Sequence, residues 1–301
     1  MKFLLLSDIH ATDKIPVARK DNISETFDSK FSFILNYAVE KEIDAILQAG
    51  DLSDQSRSWT VLDYYMVKLK LYKIPFMTVF GQHDMYLRSK TSQAPTTMLT
   101  LIRSGMISPL SSDPVAMEDV SIYGANWGEK IPTPTRNHKN ILVLHKSIAE
   151  KEEWSGHDYT HPKYFLKKHD RYDLILVGDI HRSFTAKING RQLVNTGPLL
   201  RLEANSYNFG HNPKFFVWDS DDFSLEEVYI PCRPPEEVLT RDHIDPKKIS
   251  KRELEAFTVA LKNINPKELR KEKIKKFIRK IKERRVKQII MEIINGNRTE
   301  N

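Results

Sequence analysis

The 301-residue chain contains one cysteine, Cys232, so no intrachain disulfide can form and no cysteine-based zinc knuckle can be built. Long hydrophobic runs are missing as well. The apolar stretches are too short to span a bilayer. KFLLLSD near the start begins like an export signal, but Asp8 and His10 interrupt it before an adequate stretch accumulates. There is no internal repeat, no low-complexity tract and no GxxxxGK(S/T) phosphate loop. Helix-turn-helix, zinc-finger and RNA-recognition signatures are also lacking. These absences point away from secreted and membrane proteins, and the expected location is cytoplasmic, in the host cytoplasm if the source is viral. What is present, 40% hydrophobic and 29% charged residues, is the composition of a globular chain. Its length allows one substantial core and a smaller appended unit.

Charge is unevenly distributed. The net charge of +7 arises from 47 Lys and Arg against 40 Asp and Glu. Residues from Arg241 onward hold 19 of the basic and 9 of the acidic groups, which leaves 28 against 31 in the rest of the chain. The body is therefore slightly acidic and the tail strongly basic. Such a tail suits a polyanion or an acidic partner, or a solvated helix.

Apolar runs at residues 2–7, 44–49 and 75–80 read as buried strands. Between them, 29–41 and 59–73 carry apolar residues at helical spacing. This strand–helix alternation predicts an α/β core with a partly parallel sheet. Segments 120–125, 141–145 and 173–177 read as further strands, with a helix at 161–169. Asn189-Gly190 between 183–188 and 191–194 signals a two-residue hairpin, and 214–218 with 225–230 a second antiparallel pair. The Pro231-Cys232-Arg233-Pro234-Pro235 run marks a boundary. The expected organisation is a catalytic domain over 1–231 and a basic helical extension over 232–301. In the extension, Leu254, Phe257, Leu261 and Ile264 form one helical stripe. Asn265-Pro266 breaks it before a second stripe through Ile274, Phe277, Ile278, Ile281, Val286, Ile289, Ile290 and Ile293. That stripe needs a covering surface, whether the body, the preceding helix or another protein.

Five apolar strands end in metal-capable side chains. LLLSDIH supplies Asp8 and His10, AILQAGD supplies Asp51, and MTVFGQHD supplies Gln82, His83 and Asp84. NILVLHK supplies His145, and DLILVGDIH supplies Asp179 and His181. In an open α/β sheet the carboxyl ends of neighbouring strands line one crevice, so these groups can converge. Gathered carboxylates and imidazoles require a compensating cation. Oxygen and nitrogen donors without thiolates suit Mn²⁺, Fe²⁺ or Zn²⁺, with enough ligands for two ions.

The ordered set DIH, GDLSD, GQHD, LHK and GDIH resembles the calcineurin-like metallophosphoesterase family. Within it, GDLSDQSR, VLHKSI and VNTGPLLRLE are most similar to SbcD-type nuclease subunits of double-strand-break repair. The resemblance covers about residues 1–230 and implies a four-layer αββα sandwich of two mixed sheets flanked by helices, here with a short C-terminal helical extension. It implies that Asp8, His10 and His181 hold one metal and that Asp51 bridges to a second held by Gln82, His145 and Asp179. His83 would approach the transferring phosphate and protonate the leaving oxygen, with Asp84 orienting its ring. The nucleophile would be a hydroxide activated by the two ions. Two positions depart from the pattern. Gln82 stands where the family has Asn, and Asp179 stands where it has the first His of GHxH. The added carboxylate favours a harder ion, Mn²⁺, with Fe²⁺, Co²⁺ or Zn²⁺ as alternatives.

The metal pattern implies phosphate-ester hydrolysis more firmly than it identifies the ester. The nuclease resemblance and the basic tail favour DNA, with Arg57, Arg88 and Arg201 as candidate backbone contacts. A smaller ester, or a noncatalytic scaffold, is the alternative. The resemblance further implies an SbcC-type SMC-like ATPase as partner, within a heterotetramer that contains a homodimer of this subunit. Ile274, Phe277, Ile278, Ile281, Ile289 and Ile293 are the candidate partner-binding residues. About 70 residues follow Pro231, so the expected cap over the DNA is reduced or absent.

Overall fold

The structure, a computed structural model, describes residues 1–92, 94–134, 138–151 and 158–242. The expected C-terminal helices and their six partner-binding residues lie outside these. In chain order the elements begin β1 (Lys2–Leu6), α1 (Ile23–Glu40), β2 (Ala45–Gln48), α2 (Trp59–Tyr72), β3 (Phe76–Thr78), α3 (Thr97–Arg103) and β4 (Ser108–Pro109). They continue through β5 (Val115–Met117), β6 (Val120–Ala125), β7 (Lys139–His145), α4 (Pro162–Lys168) and β8 (Leu174–Gly178). The last are β9 (Phe184–Ile188), β10 (Arg191–Asn195), α5 (Ser206–Gly210), β11 (Lys214–Asp219), β12 (Leu225–Tyr229) and α6 (Pro235–Val238).

The strands form two six-stranded sheets, ordered β12-β11-β1-β2-β3-β4 and β5-β6-β7-β8-β10-β9. Both are mixed: the first is antiparallel on one side only, the second at both edges. β1 through β4 run parallel, while β11 and β12 are antiparallel. In the second sheet β6, β7, β8 and β10 run parallel, with β5 and β9 antiparallel at the edges. Both hairpins expected near the end of the body are present, but they join different sheets.

Side-chain alternation along each strand creates the layers. In β1, Phe3 and Leu5 face the second sheet and share a core with Val120, Ile141, Val143, Leu176 and Trp218. Leu4 and Leu6 face the other way, onto Phe27, Phe31 and Ile34 of α1 and Tyr65 of α2. The outer face of the second sheet, including Leu142, Leu144, Ile175 and Val177, is covered by Phe165 and Leu166 of α4. The result is the αββα sandwich. Burial on both faces explains the unbroken FLLL and LILV runs, and each fully buried Leu or Val contributes about 1.5–3 kcal/mol. Among the described residues no helix is long and apolar enough to cross a membrane.

Past β12 the chain returns across the body. Val238 and Leu239 are buried, and Leu239 forms a bridge with Arg19.

Candidate metal centre

β1, β2 and β3 run parallel in one sheet, and β7 and β8 run parallel in the other. The loops leaving their carboxyl ends bring together all the expected ligands. Backbone pairing fixes the first two loops to each other. Asp8 N–H donates to Gly50 O at 3.3 Å, His10 N–H to Asp51 O at 3.0 Å and Ala11 N–H to Leu52 O at 3.1 Å. Asp8, His10, Asp51 and Asp179 have φ of 47°, 48°, 53° and 97°. Left-handed backbone at four non-glycine residues is costly, on the order of 1 kcal/mol or more each, and it concentrates at functional sites.

Asp51 lies at the middle of the cluster. Its Oδ2 is 3.7 Å from His10 Nε2 and 3.4 Å from His145 Nε2. On one side, His10 Nε2 faces His181 Nε2 at 3.0 Å, and His181 Nε2 is 3.8 Å from Asp8 Oδ1. On the other, His145 Nε2 is 3.7 Å from Asp179 Oδ1, and Gln82 Nε2 donates to that same oxygen at 2.9 Å. Ser147 Oγ donates to Asp179 Oδ2. Three triplets have donor atoms within 4.8 Å of one another: Asp8–His10–His181, His10–Asp51–His83 and Asp8–Asp51–His145.

Several of these atoms are buried and have no hydrogen-bond partner among the described residues. They are Asp8 Oδ2, His10 Nδ1, Asp51 Oδ2, Gln82 Oε1 and His145 Nε2. An orphaned buried polar atom costs about 1–3 kcal/mol, more when charged. Five in one cluster, all oxygen or imidazole nitrogen, fit a pair of divalent cations. Gln82 turns its amide N–H to Asp179 and leaves its oxygen unpaired, so the long amide and the carboxylate act as one unit. His145 Nδ1 sits 2.6 Å from Ala49 O, which makes Nδ1 the donor and leaves Nε2 as the lone-pair nitrogen of the neutral ring.

Titration of the cluster follows from the same crowding. Burial raises the Asp8 carboxyl. Burial also opposes the charge of Asp51, but His145 and then His10 and His83 outweigh it and hold that carboxyl below its ordinary value. For His145 burial disfavours the cation, yet Asp51 above all raises it to about 10. His10 is likewise raised against its burial, by Asp54 and Asp51, whereas burial lowers His181. The same carboxylates that favour a proton on His10 and His145 would favour a divalent cation, which the two rings would hold in their neutral form.

His83 is a quarter exposed. Its backbone N–H donates to Asp51 Oδ1 at 2.9 Å, its Nδ1 pairs with Asp54 O at 2.8 Å, and its ring meets that of His10 edge-on at 4.9 Å. The expectation that Asp84 orients this imidazole is corrected. Asp84 is fully buried, and its oxygens accept from Leu52 N–H at 3.0 Å, Ser53 N–H at 3.3 Å and Gly81 N–H at 3.0 Å. It therefore clamps the third loop to the second. Burial and the neighbouring Asp51 raise its pKa to about 7.

Asp54 is the residue beside His83 that the sequence reading passed over. Its carboxylate lies 3.7 Å from His10 Nδ1 and 3.8 Å from His83 Nδ1, and His10 keeps that carboxyl below its ordinary value. Its place in GDLSD was the available signal, as VLHKSI was for Ser147. Among the arginines, Arg57 is exposed, donates to Pro95 O and stacks on Tyr86 with 3.9 Å to the ring centroid. Arg88 is exposed, with φ of 53°. Arg201 differs from expectation. It is 2% exposed and its guanidinium donates to His211 O and Arg233 O, each at 2.8 Å. It lines a separate cavity that includes none of the cluster residues.

The sandwich fold and this cluster support a metal-dependent phosphoesterase with two metal positions. Residues 1–183 match the family model described as calcineurin-like phosphoesterase, and the chain belongs to that family. It is similar to the DNA double-strand break repair protein Mre11 of Methanosarcina mazei, at 25% identity over 202 residues, covering 60% of this chain and 31% of that protein. The Methanosarcina acetivorans protein of the same name is 26% identical over 183 residues, covering 54% and 28%. The chain thus spans less than a third of the length of these relatives. A dimetal phosphatase from Danio rerio matches in structure with a TM-score of 0.45 and 11% identity, covering 72% of this chain and 91% of that one.

Proposed function

We propose that this protein hydrolyses the DNA backbone as an Mn²⁺-dependent endo- or exonuclease in repair, recombination or replication. The observation that carries the hydrolytic reading is the convergence of Asp8, His10, Asp51, Gln82, His145, Asp179 and His181, which leaves buried donor atoms on Asp8, Asp51, Gln82 and His145 without a hydrogen-bond partner. Likeness to the two Mre11 proteins and the basic tail support DNA as the ester. Bound at the two positions, divalent cations would activate water and neutralise charge developing on the phosphoryl oxygens. Asp51 would be shared between the positions, and Asp179, a carboxylate in place of an imidazole, favours Mn²⁺ over Zn²⁺. His83 would donate its proton to the departing oxygen, oriented by the Asp54 carbonyl. Exposed Arg57 and Arg88 would hold the backbone without reading sequence.

The proposal includes an SbcC-type SMC-like ATPase as partner, in a heterotetramer with two copies of this chain. The apolar stripe through Ile274, Phe277, Ile278, Ile281, Ile289 and Ile293 would form the contact. Deletion from Lys267 onward is expected to weaken the complex at least tenfold while hydrolysis of bis-nitrophenyl phosphate persists. Unchanged affinity would refute the assignment.

A second reading, hydrolysis of a smaller phosphate ester, has one observation in its favour. A cavity of about 240 Å³ beside Asp84 is walled by Phe80, Tyr86 and Trp127, which suits one flat group. The two readings separate when full-length protein is stripped, reloaded with Mn²⁺, Fe²⁺, Co²⁺ or Zn²⁺, and given single- and double-stranded DNA beside bis-nitrophenyl phosphate. DNA cleavage that is greatest with Mn²⁺ and lost in His83→Ala is expected. Turnover of the small ester with DNA left intact, with or without an ATPase partner, would overturn the nuclease reading. No turnover under any metal would indicate a scaffold.

A further inference from the structure

A second group of charged side chains lies outside the metal cluster, where the Pro231–Arg233 segment crosses the start of α1. A cavity of about 610 Å³ opens there, lined by Arg19, Thr26, Lys30, Arg201, Cys232 and Arg233. Lys30, Arg201 and Arg19 are 3%, 2% and 6% exposed, so three cationic side chains are almost withdrawn from water. Such burial is costly unless each charge is matched.

Matching is incomplete among the described residues. Arg19 forms a forked pair with Asp21, Nε to Oδ1 at 2.7 Å and Nη2 to Oδ2 at 2.6 Å, and Arg233 Nη2 shares that Oδ2 at 2.8 Å. One carboxylate therefore serves two guanidiniums. Arg201 donates to the neutral carbonyls of His211 and Arg233 and reaches Asn212 Oδ1 and Cys232 Sγ only at 3.5 Å. Lys30 Nζ donates to Leu199 O at 2.8 Å. Glu25 also lines the cavity, but its carboxylate accepts from Asn22 Nδ2 at 2.8 Å at the helix cap. Four cations stand against two carboxylates. Burial above all lowers the Lys30 ammonium to about 7; Cys232 opposes this, and Arg201 and Arg19 add smaller repulsions that lower it further.

We infer that this cavity is an anion site, separate from the metal cluster, that takes a phosphoryl group. Lys30 and Arg233 supply the direct contacts, and Arg19 and Arg201 supply fixed positive charge behind them. An ammonium and a guanidinium lining one cavity suit a tetrahedral oxyanion, which accepts from both. The phosphoryl group can come from a small free anion or from the end of a nucleic acid strand. The inference stands on the cavity's own geometry and does not depend on the nuclease reading.

Cys232 provides the test, because it is the chain's only thiol, is exposed and lines the cavity. Full-length protein in excess EDTA, which keeps phosphate from binding through metal, is alkylated with iodoacetamide while modification is followed by mass spectrometry. Inorganic pyrophosphate is expected to slow alkylation at least fivefold and saturably if the source is a free anion. Slowing by a 5′-phosphorylated oligonucleotide, but not by its unphosphorylated counterpart or by pyrophosphate, would assign a strand end; either result supports the site. Protection should weaken at least tenfold in Lys30→Met and severalfold in Arg233→Gln, whose exposed side chain makes it the safer variant for folding. Equal alkylation rates with and without every probe would overturn the inference, as would protection unchanged in Arg233→Gln and Lys30→Met.

Discussion

At the scale of single residues, the centre divides its acidic groups by task. Asp8, Asp51 and Asp179 face the imidazoles, whereas Asp84 accepts three backbone N–H groups. Replacing Asp84 with Asn turns one acceptor into an N–H donor facing another N–H. The expected outcome is a loss of about 1–3 kcal/mol in unfolding free energy, measured by denaturant titration. His83→Ala should instead lower kcat by about 10²–10⁴ with little change in stability, since it removes the proposed proton donor from the surface of the centre. Asp54 makes a third case. Its carboxylate sits beside His10 and His83 while its backbone carbonyl holds the His83 ring. Asp54→Ala keeps that carbonyl but removes the anion that supports His10. Mn²⁺ affinity measured by calorimetry is expected to fall about 10–100-fold, and the pKa of His10, followed by NMR, should drop. Unaltered Mn²⁺ affinity would remove Asp54 from any role in positioning a ligand.

At the scale of elements, the ligand-bearing loops were legible because each follows an apolar strand that stops abruptly in polar residues. What holds the loops to one another was not legible. Gly81 lies against Asp51: a Cβ there would overlap the Asp51 carboxylate and stand 2.5 Å from its backbone N. Gly81→Ala should therefore displace Asp51 and abolish measurable Mn²⁺ binding. Gly190→Ala is the control. Its φ is 82° but nothing lies within 4 Å of the added Cβ, so about 1 kcal/mol of backbone strain and unchanged metal binding are expected. Helix boundaries show the same division. The apolar stripe placed the first helix at 29–41, but α1 begins at Ile23, because Asn22 Oδ1 accepts from Ser24 and Glu25 N–H while Asn22 Nδ2 donates to the Glu25 carboxylate. That N-x-x-E spacing was readable. By contrast, β4 and β5 are two and three residues long, too short to carry a period. The assignment of strands to two sheets was hidden as well, since Leu4 and Leu5 are equally buried on opposite faces and the β1–β11 pairing joins residues more than 200 apart.

At the scale of the whole molecule, a buried lysine in the body makes stability depend on pH in a direction opposite to that of an ordinary ion pair. Lys30 has its ammonium lowered to about 7 by burial and by Arg201 and Arg19, against 10.5 for the unhindered side chain. Between those values the unfolded chain binds a proton that the folded chain does not, so unfolding free energy rises with pH across that window. Below about pH 7 both states are protonated and the full penalty of burying the cation remains. The slope for one proton is about 1.4 kcal/mol per pH unit. Comparison of the protein with Lys30→Met isolates this group, since the other titrating groups are common to both. In EDTA and without phosphate, the stability difference between the two proteins is expected to narrow by roughly 2–3 kcal/mol from about pH 7 to about pH 9, with Lys30→Met the more stable at the lower end. Parallel stability curves across that range would show that Lys30 keeps its proton in the folded state. Lys30 would then remain an ammonium, able to donate to an anion across the whole of that range.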